Sequence, residues 1–383
     1  PVSQCSLNTF FPSQFQNAVV SGHSLRGLFG RAGSAAKLLA AGQSAHLKDL
    51  VMIRSLFTQN LVFQMCSCSG LDHLLQNLQA DLFLHSPVIG AQTEKNRICA
   101  LNCVDDEGMF EIRAKAFVDA SGDANLARLA GAKVMWGDAQ GRVQAASLPF
   151  RLSGVDITKD MSPAAVKCAV EQARNAGMEH LPRESGFLLT LEGSQVVCAL
   201  IPSVMPEGLS ARELTRMEQE LREQAVSYAA ALKRYMPGME HSELVMIGPS
   251  IGLRETRRLV GRTQLTGEDV LSGRRRADGI ARGGWKPEIH RSMTKMATYL
   301  AVKEGSWFHI PMGALQSETL ENLYGAGRMV WADDTAFAAV RVMGTCFATG
   351  HAAGVAAALQ ADLGQMPCVE KVRAELQKQR GLV

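Results

Sequence analysis

The sequence predicts an α/β fold in which one domain is interrupted by a second, α+β domain. Three observations predict it. Near the C-terminus an apolar run, a Gly-Ala-Gly turn and a small-residue helix follow one another, in Asn322-Leu-Tyr-Gly-Ala-Gly-Arg328 and Arg341-Val-Met-Gly-Thr-Cys-Phe-Ala-Thr-Gly-His-Ala-Ala-Gly354. Earlier, a half-exposed hairpin feeds a buried strand at Phe117-Val-Asp-Ala120. Between about Ala145 and His309 strands and long amphipathic helices mix in a different pattern.

The elements follow in order. Ser69-Gly-Leu-Asp72 reads as a capping box opening a helix through Gln79, with Leu71, Leu74, Leu75 and Leu78 on one face. A strand is expected around Leu82–Leu84. Arg97–Val104 and Met109–Ala116 flank the turn Asp105-Asp-Glu-Gly108. The second run sets Phe110, Ile112, Ala114 and Ala116 inward against Glu111, Arg113 and Lys115 outward. In the middle interval Ser147–Leu152 and Gln195–Pro202 read as strands. Ser162-Pro163 makes an N-cap and first turn for a helix running toward Gly177. Ser210-Ala-Arg-Glu213 reads as a second capping box, and its helix puts Leu214, Met217, Leu221, Ala225, Tyr228 and Leu232 on one face before Pro237-Gly238 stops it. Those Met and aromatic positions read as core. Leu323-Tyr-Gly-Ala326 is a buried strand, and Gly344 to Leu359 a helix.

Composition narrows the function. With 383 residues, 46% of them hydrophobic, the chain can bury a large core and divide into two domains. Its formal net charge of +3 comes from 40 basic and 37 acidic residues, too balanced for a nucleic-acid binder. The one dense basic cluster, Arg274-Arg-Arg276, lies beside Asp278 without interleaved aromatics and reads as a solvated loop. There is no run of 18 apolar residues, so no membrane partner is expected, and a cytoplasmic location is. Nine cysteines are scattered, Cys66 and Cys68 among them, without zinc-site spacing; they read as free thiols, and no metal is expected.

Gly325 and Gly327 let the backbone approach a ligand where a Cβ would collide. The helix after them offers free N–H groups and the positive end of its dipole to an anion or an electron-rich ring edge. The plainer alternative is that Gly350, Ala353, Gly354 and Ala357 only permit tight helix-to-sheet packing.

These segments resemble the C-terminal signature of FAD-dependent oxidoreductases of the two-dinucleotide-binding superfamily, and more narrowly the FAD_oxidored family. The resemblance runs from about Leu74 to the end of the chain. It also rests on Phe117-Val-Asp-Ala-Ser-Gly-Asp123 with Leu126-Ala-Arg-Leu-Ala-Gly-Ala132, and on Ile251-Gly-Leu-Arg-Glu-Thr-Arg-Arg-Leu-Val-Gly261. It implies a Rossmann-like FAD-binding domain, a parallel sheet plus β-meander, over 1–144 and 310–383, with a substrate domain inserted over 145–309. FAD is the implied cofactor, and hydride transfer to flavin from an amine, amino acid or hydroxy acid the implied dehydrogenase chemistry. By the same resemblance the first turn of the Gly344 helix, with Thr345, lies against the pyrimidine edge of the flavin. Ser121, Gly122 and Asp123 lie on its other side, and Gly325, Gly327 and Arg328 form the approach loop. Asp333 or Asp334 makes ribityl or phosphate-side contacts, while Asp119 caps a turn.

For the substrate, Arg254, Arg257 and Arg341 can hold a carboxylate through paired hydrogen bonds. Arg254 and Arg258 also read as structural partners of Glu255. The family often carries a His shortly before the Arg-Val-Met word, where this chain has Phe337; His309 and His290 remain as candidates for proton removal. No Gly-x-Gly-x-x-Gly occurs in the chain, although the family wraps the FAD pyrophosphate with one. The chain opens at Pro1 with a stretch like the one that follows that first βαβ unit. A second polypeptide carrying the glycine-rich unit, within a hetero-oligomer, is therefore expected; a truncated chain is the alternative. A non-catalytic flavoprotein-like scaffold subunit is the competing functional class.

Overall fold

The computed structural model describes Asp72 and residues 75–78, 80–190, 193–303 and 305–383. The capping box at Ser69, Leu71, Leu74, Cys66 and Cys68 lie outside the described residues. Within them the chain forms two compact units. One holds Gly137–Thr256 and Glu288–Tyr299, the other the stretch up to Trp136 with Arg257–Pro287 and Leu300–Val383. The interval 145–309 is thus divided, since residues 257–287 and 300–309 belong to the larger unit.

The larger unit is mixed α/β. Its meander is Val88–Glu94, Arg97–Asp105 and Gly108–Arg113, antiparallel and in that order. The hairpin alternates as its sequence predicts, Phe110 and Ile112 half-buried against exposed Met109, Glu111 and Arg113. The first strand differs from expectation: Leu82–Leu84 holds a single β-bridge residue, Phe83, and the first strand of the meander is Val88–Glu94. That edge strand is largely solvated, so it carries no apolar alternation to read.

At the centre, Phe117–Asp119 pairs in parallel with Leu323–Gly325, in the register Leu323↔Phe117, Tyr324↔Val118 and Gly325↔Asp119. Buried Asn322 ties this pair to the meander. Its Oδ1 accepts from Ile98 N at 2.9 Å, and its Nδ2 donates to the carbonyls of Ile98 at 2.9 Å and Lys115 at 3.1 Å. The helix Met343–Leu363 packs behind, with Ala352, Ala353, Ala356 and Ala357 fully buried in one cluster with Tyr324 and Phe337. Small side chains let helix and strand approach closely. The Tyr324 hydroxyl donates to Gln360 Oε1 at 2.7 Å, and Gln360 Nε2 donates to the Glu321 carbonyl at 3.0 Å. The helix ends in a left-handed C-cap at Gly364, a conformation glycine adopts without strain. Two antiparallel ribbons complete the unit, Val134–Trp136 with Arg257–Leu259 and Gly279–Gly283 with Phe308–Pro311.

The smaller unit is α+β. Its antiparallel sheet runs Phe187–Thr190, Val197–Leu200, Phe150–Ser153, Glu243–Ile247. Helices Pro163–Asn175 and Ala211–Tyr235 share its core with Phe150, Leu152, Val166, Tyr228 and Leu232. Ser162 caps the first, accepting from Ala165 N at 3.3 Å, and Ser210 the second, accepting from Glu213 N at 3.2 Å. The Glu213 carboxylate meanwhile pairs with Arg216 at 2.6 Å. The predicted apolar face is buried from Met217 to Leu232. Among the described residues no single helix is long and apolar enough to cross a membrane, and no cluster of His, Cys, Asp and Glu is arranged to hold a metal.

Candidate cofactor site

The site lies where the parallel pair ends. In an open α/β sheet the loops leaving the carboxyl ends of parallel strands are where a ligand meets unpaired backbone groups. Phe117–Asp119 leads into Ala120–Asp123, and Leu323–Gly325 into Ala326–Met329.

Asp119 organises the first loop. Its carboxylate is buried, with Oδ1 accepting from Ser121 N and Oδ2 from Ala127 N, each at 2.9 Å. Burial pushes its pKa up, against the downward pull of the N–H groups of Ala127 and Ser121. Ser121 Oγ accepts from Asn125 N at 3.0 Å. The chain then turns through Gly122 at φ 81° and Ala124 at φ 53°, and Ala124 N donates to Met329 Sδ at 2.8 Å. Arg257 braces the loop from outside, donating to the Asp123 carbonyl at 2.9 Å and Asn125 Oδ1 at 2.7 Å.

Arg328 joins the two loops. It donates from Nε to the Gly122 carbonyl at 3.3 Å and from Nη2 to Asp123 Oδ1 at 3.1 Å. Gly327, at φ 69°, donates its N–H to Thr349 Oγ1 at 3.1 Å. The Thr349 hydroxyl sits within 3.1 Å of the Thr345 and Cys346 carbonyls, so the turn is moored to the helix Met343–Leu363.

That helix begins without a side-chain cap, and its first turn holds no acidic residue. Gly344 is exposed, and among the described residues no atom beyond its own helix lies within 4 Å of where a Cβ would stand; Thr345 is buried. The N–H groups of Gly344 and Thr345 and the positive dipole end face the start of this helix, where they favour an electron-rich ligand. Burial pushes the Cys346 thiol up to about 11, while Arg328 and Arg341 pull it the other way. The thiol stays protonated at neutral pH, and the two cations lie close to the helix start. An FAD ring edge would meet N–H donors and no acid in the first turn of this helix, with Gly344, Thr345 and Arg328 as the residues that would hold it.

Ser121, Gly122, Asp123, Gly327, Arg328, Gly344, Thr345 and Arg341 therefore gather around this end of the larger unit. The other residues singled out in the sequence sit elsewhere or have other work. Gly325 is a packing glycine, since a Cβ there would stand 3.1 Å from Leu259 Cδ2 and 3.2 Å from Met329 Cβ. Asp333 caps the helix Asp334–Val340, its Oδ1 accepting from Ala336 N at 2.8 Å and its Oδ2 from Gly267 N at 2.7 Å. Asp334 lies in the first turn of that helix. Arg254 belongs to the smaller unit, where it donates to the Ala145 carbonyl at 2.6 Å. Arg258 is buried with its guanidinium 4.8 Å from the Phe337 ring centre. His290 is buried beside Glu288, its Nε2 at 3.1 Å from Oε1. His309 accepts at Nδ1 from Arg276 N at 3.0 Å, and burial with three nearby arginines lowers its pKa to about 4. Its basic nitrogen is already engaged.

Sequence reasoning overlooked Thr349 and Met329 as supports of the site, and gave Arg257 to the substrate, whereas its guanidinium donates to the Asp123 carbonyl and to Asn125. Only Thr349 left a readable signal, a hydroxyl one turn into the helix that follows the glycine turn.

The family described as FAD dependent oxidoreductase matches residues 39–379. Among solved structures, a geranylgeranyl bacteriochlorophyll reductase-like protein from Thermoplasma acidophilum is 13% identical, with 81% of this chain and 54% of that one covered and a TM-score of 0.33. The myxobacterial chondrochloren halogenase CndH, an FAD-dependent halogenase, is 13% identical over 80% of this chain and 54% of its own, with a TM-score of 0.35. The p-nitrophenol 4-monooxygenase PnpA from Pseudomonas putida is 10% identical over 77% and 53%, with a TM-score of 0.31. The chain spans about half the length of these structures. No curated protein matches it.

Proposed function

Since the chain belongs to the FAD-dependent oxidoreductase family and FAD is its cofactor, we propose that it oxidises a small organic substrate with the flavin held at the start of the helix Met343–Leu363. One observation carries this reading: that helix start has neither a side-chain cap nor an acid in its first turn, and Arg328 and Arg341 are close by. Bound there, FAD supplies the hydride acceptor. The protein's part is to bind and orient. The first-turn N–H groups and the helix dipole favour negative charge at the ring edge. Arg328, fixed by Gly122 and Asp123, holds the loop beside it.

Arg341 is buried at the C-cap of Asp334–Val340, immediately before that helix start. A guanidinium in that position suits the carboxylate of an amino acid or hydroxy acid, fixing the C–H bond that is to be broken. Neither His309, engaged at Nδ1, nor the protonated thiol of Cys346 is assigned the proton transfer. The adenosine end of FAD is proposed to be held by a glycine-rich turn outside these 383 residues, on the same or another polypeptide.

The test is a visible spectrum of protein purified without denaturant and supplemented with FAD, followed by anaerobic addition of amino acids and hydroxy acids. Bleaching of a bound flavin band by one class, weakened in Arg341→Gln with the oxidised spectrum unchanged, supports the reading. A folded protein that takes up no flavin alone or with co-purifying partners overturns it in favour of a non-catalytic scaffold.

A further inference from the structure

A second cluster of cations in the larger unit shares no residue with the site above. Trp307 carries two guanidiniums: the carbon of Arg275 lies 3.3 Å from its ring centre and that of Arg282 3.9 Å. Arg282 stands directly across the antiparallel ribbon from His309, in the register Arg282↔His309, and the Trp307 and His309 ring centres are 4.8 Å apart. Arg373 reaches the same ribbon and donates to the Gly279 carbonyl. Gly279 has no side chain where a Cβ would stand 2.6 Å from His309 Cβ, so the ring fits against the strand.

Arg275 donates to the Gly273 carbonyl at 2.8 Å, Arg373 to the Gly279 carbonyl, and Arg282 to an oxygen of the Val383 carboxyl group at 3.0 Å. None of the three has a side-chain carboxylate partner among the described residues. Their sequence neighbours differ: Arg274 pairs with Asp269, and Arg276 with Asp269 and Asp278. His309 is 6% exposed. Because its Nδ1 accepts from Arg276 N, its neutral ring carries the proton on Nε2, and that buried N–H has no partner. The Arg282 Nε is likewise buried and without a partner. Three guanidiniums and an unpartnered imidazole N–H thus face one carboxyl group, so cations and donors exceed the anions and acceptors that meet them. A further anion would balance the excess charge and give the two buried N–H groups, His309 Nε2 and Arg282 Nε, an acceptor.

We propose that Arg275, Arg282, Arg373 and His309 form a second anion site that takes the phosphoryl group of a small molecule. Arginine forks match the several acceptor oxygens of a phosphate dianion, and a neutral imidazole N–H adds a donor without adding charge. Chloride offers no such set of directed acceptors. The indole, against which both guanidiniums lie, orients Arg275 and Arg282.

The experiment titrates inorganic phosphate into FAD-saturated protein at pH 7.5, with sodium chloride at matched ionic strength as the reference, followed by calorimetry. FAD saturation removes the dinucleotide's own phosphate site from the signal, and flavin absorbance reports that site separately. Saturable phosphate binding, weakened about tenfold or more in Arg275→Gln and in Arg373→Gln, is expected. Both variants are first checked by thermal melting, and Arg275, being exposed, is the one least able to disturb folding. A response no different from chloride, or the same phosphate affinity in both folded variants, overturns the proposal.

Discussion

Arg328 occupies the space above Gly122: a Cβ at residue 122 would stand 2.8 Å from the guanidinium Cζ and 3.2 Å from Nε. The glycine is thus required twice, by its φ of 81° and by the arginine laid across it. In Gly122→Ala the left-handed backbone costs about 1–2 kcal/mol, and the methyl displaces Arg328 from the Gly122 carbonyl and Asp123. We expect a lowered melting temperature and, separately, weaker FAD uptake in a fluorescence titration. FAD affinity equal to that of the parent would remove Arg328 from the cofactor site.

Thr349 connects the Gly327 turn to the helix behind it. Thr349→Val keeps the shape and removes the acceptor, leaving the Gly327 N–H without its bond, a loss of about 1 kcal/mol. Flavin affinity is expected to fall with the stability because the turn loosens where it approaches the ligand. An unchanged affinity in a destabilised variant would make the bond purely structural.

How much of this could be read from the chain depended on distance along it. The strand at Leu323 and the glycine turn after it are local patterns, and so are the Ser162 and Ser210 caps; all are present. The parallel partner of that strand, Phe117–Asp119, was legible as a buried strand because a hairpin with clean alternation leads into it. The basic cluster at Arg274–Arg276 was not legible as anything but a loop. Its aromatic partner, Trp307, comes from a strand edge far along the chain, and no pattern near residue 275 announces it. Asp333 shows the converse limit: an acid after a glycine turn has the same appearance whether it contacts a cofactor or caps the next helix, and only its two N–H donors separate the cases.

His309 sets a pH dependence of stability. Burial first, then Arg373, Arg282 and Arg275, lower its pKa from 6.5 to about 4. The folded state therefore binds fewer protons than the unfolded state between those values. The contribution is fully present above pH 6.5 and is lost as pH falls toward 4, by about 3 kcal/mol for a shift of this order. Denaturant unfolding of the parent and of His309→Gln at pH 7.5 and pH 4.5 checks this. The parent is expected to lose more stability than the variant across that interval, and parallel losses would mean that the imidazole charges as easily folded as unfolded.

Asp333 offers the sharpest separation of a structural role from a cofactor role. Its two carboxylate oxygens accept from the backbone of two different segments, Ala336 N in its own helix and Gly267 N at the start of the helix Gly267–Leu271. In Asp333→Ala both donors lose their acceptor, and the helix Asp334–Val340, which leads directly to Arg341, loses its cap. The cost is about 1–3 kcal/mol. Asp333→Asn keeps one acceptor oxygen and can satisfy only one of the two, so it should fall between the parent and Asp333→Ala in chemical denaturation. FAD affinity, measured well below the melting transition, should stay within a few-fold of the parent in Asp333→Asn, because both oxygens already serve backbone N–H groups. A collapse of FAD binding in Asp333→Asn at near-parental stability would return this residue to the cofactor, and would require its bond to Gly267 to open when FAD enters.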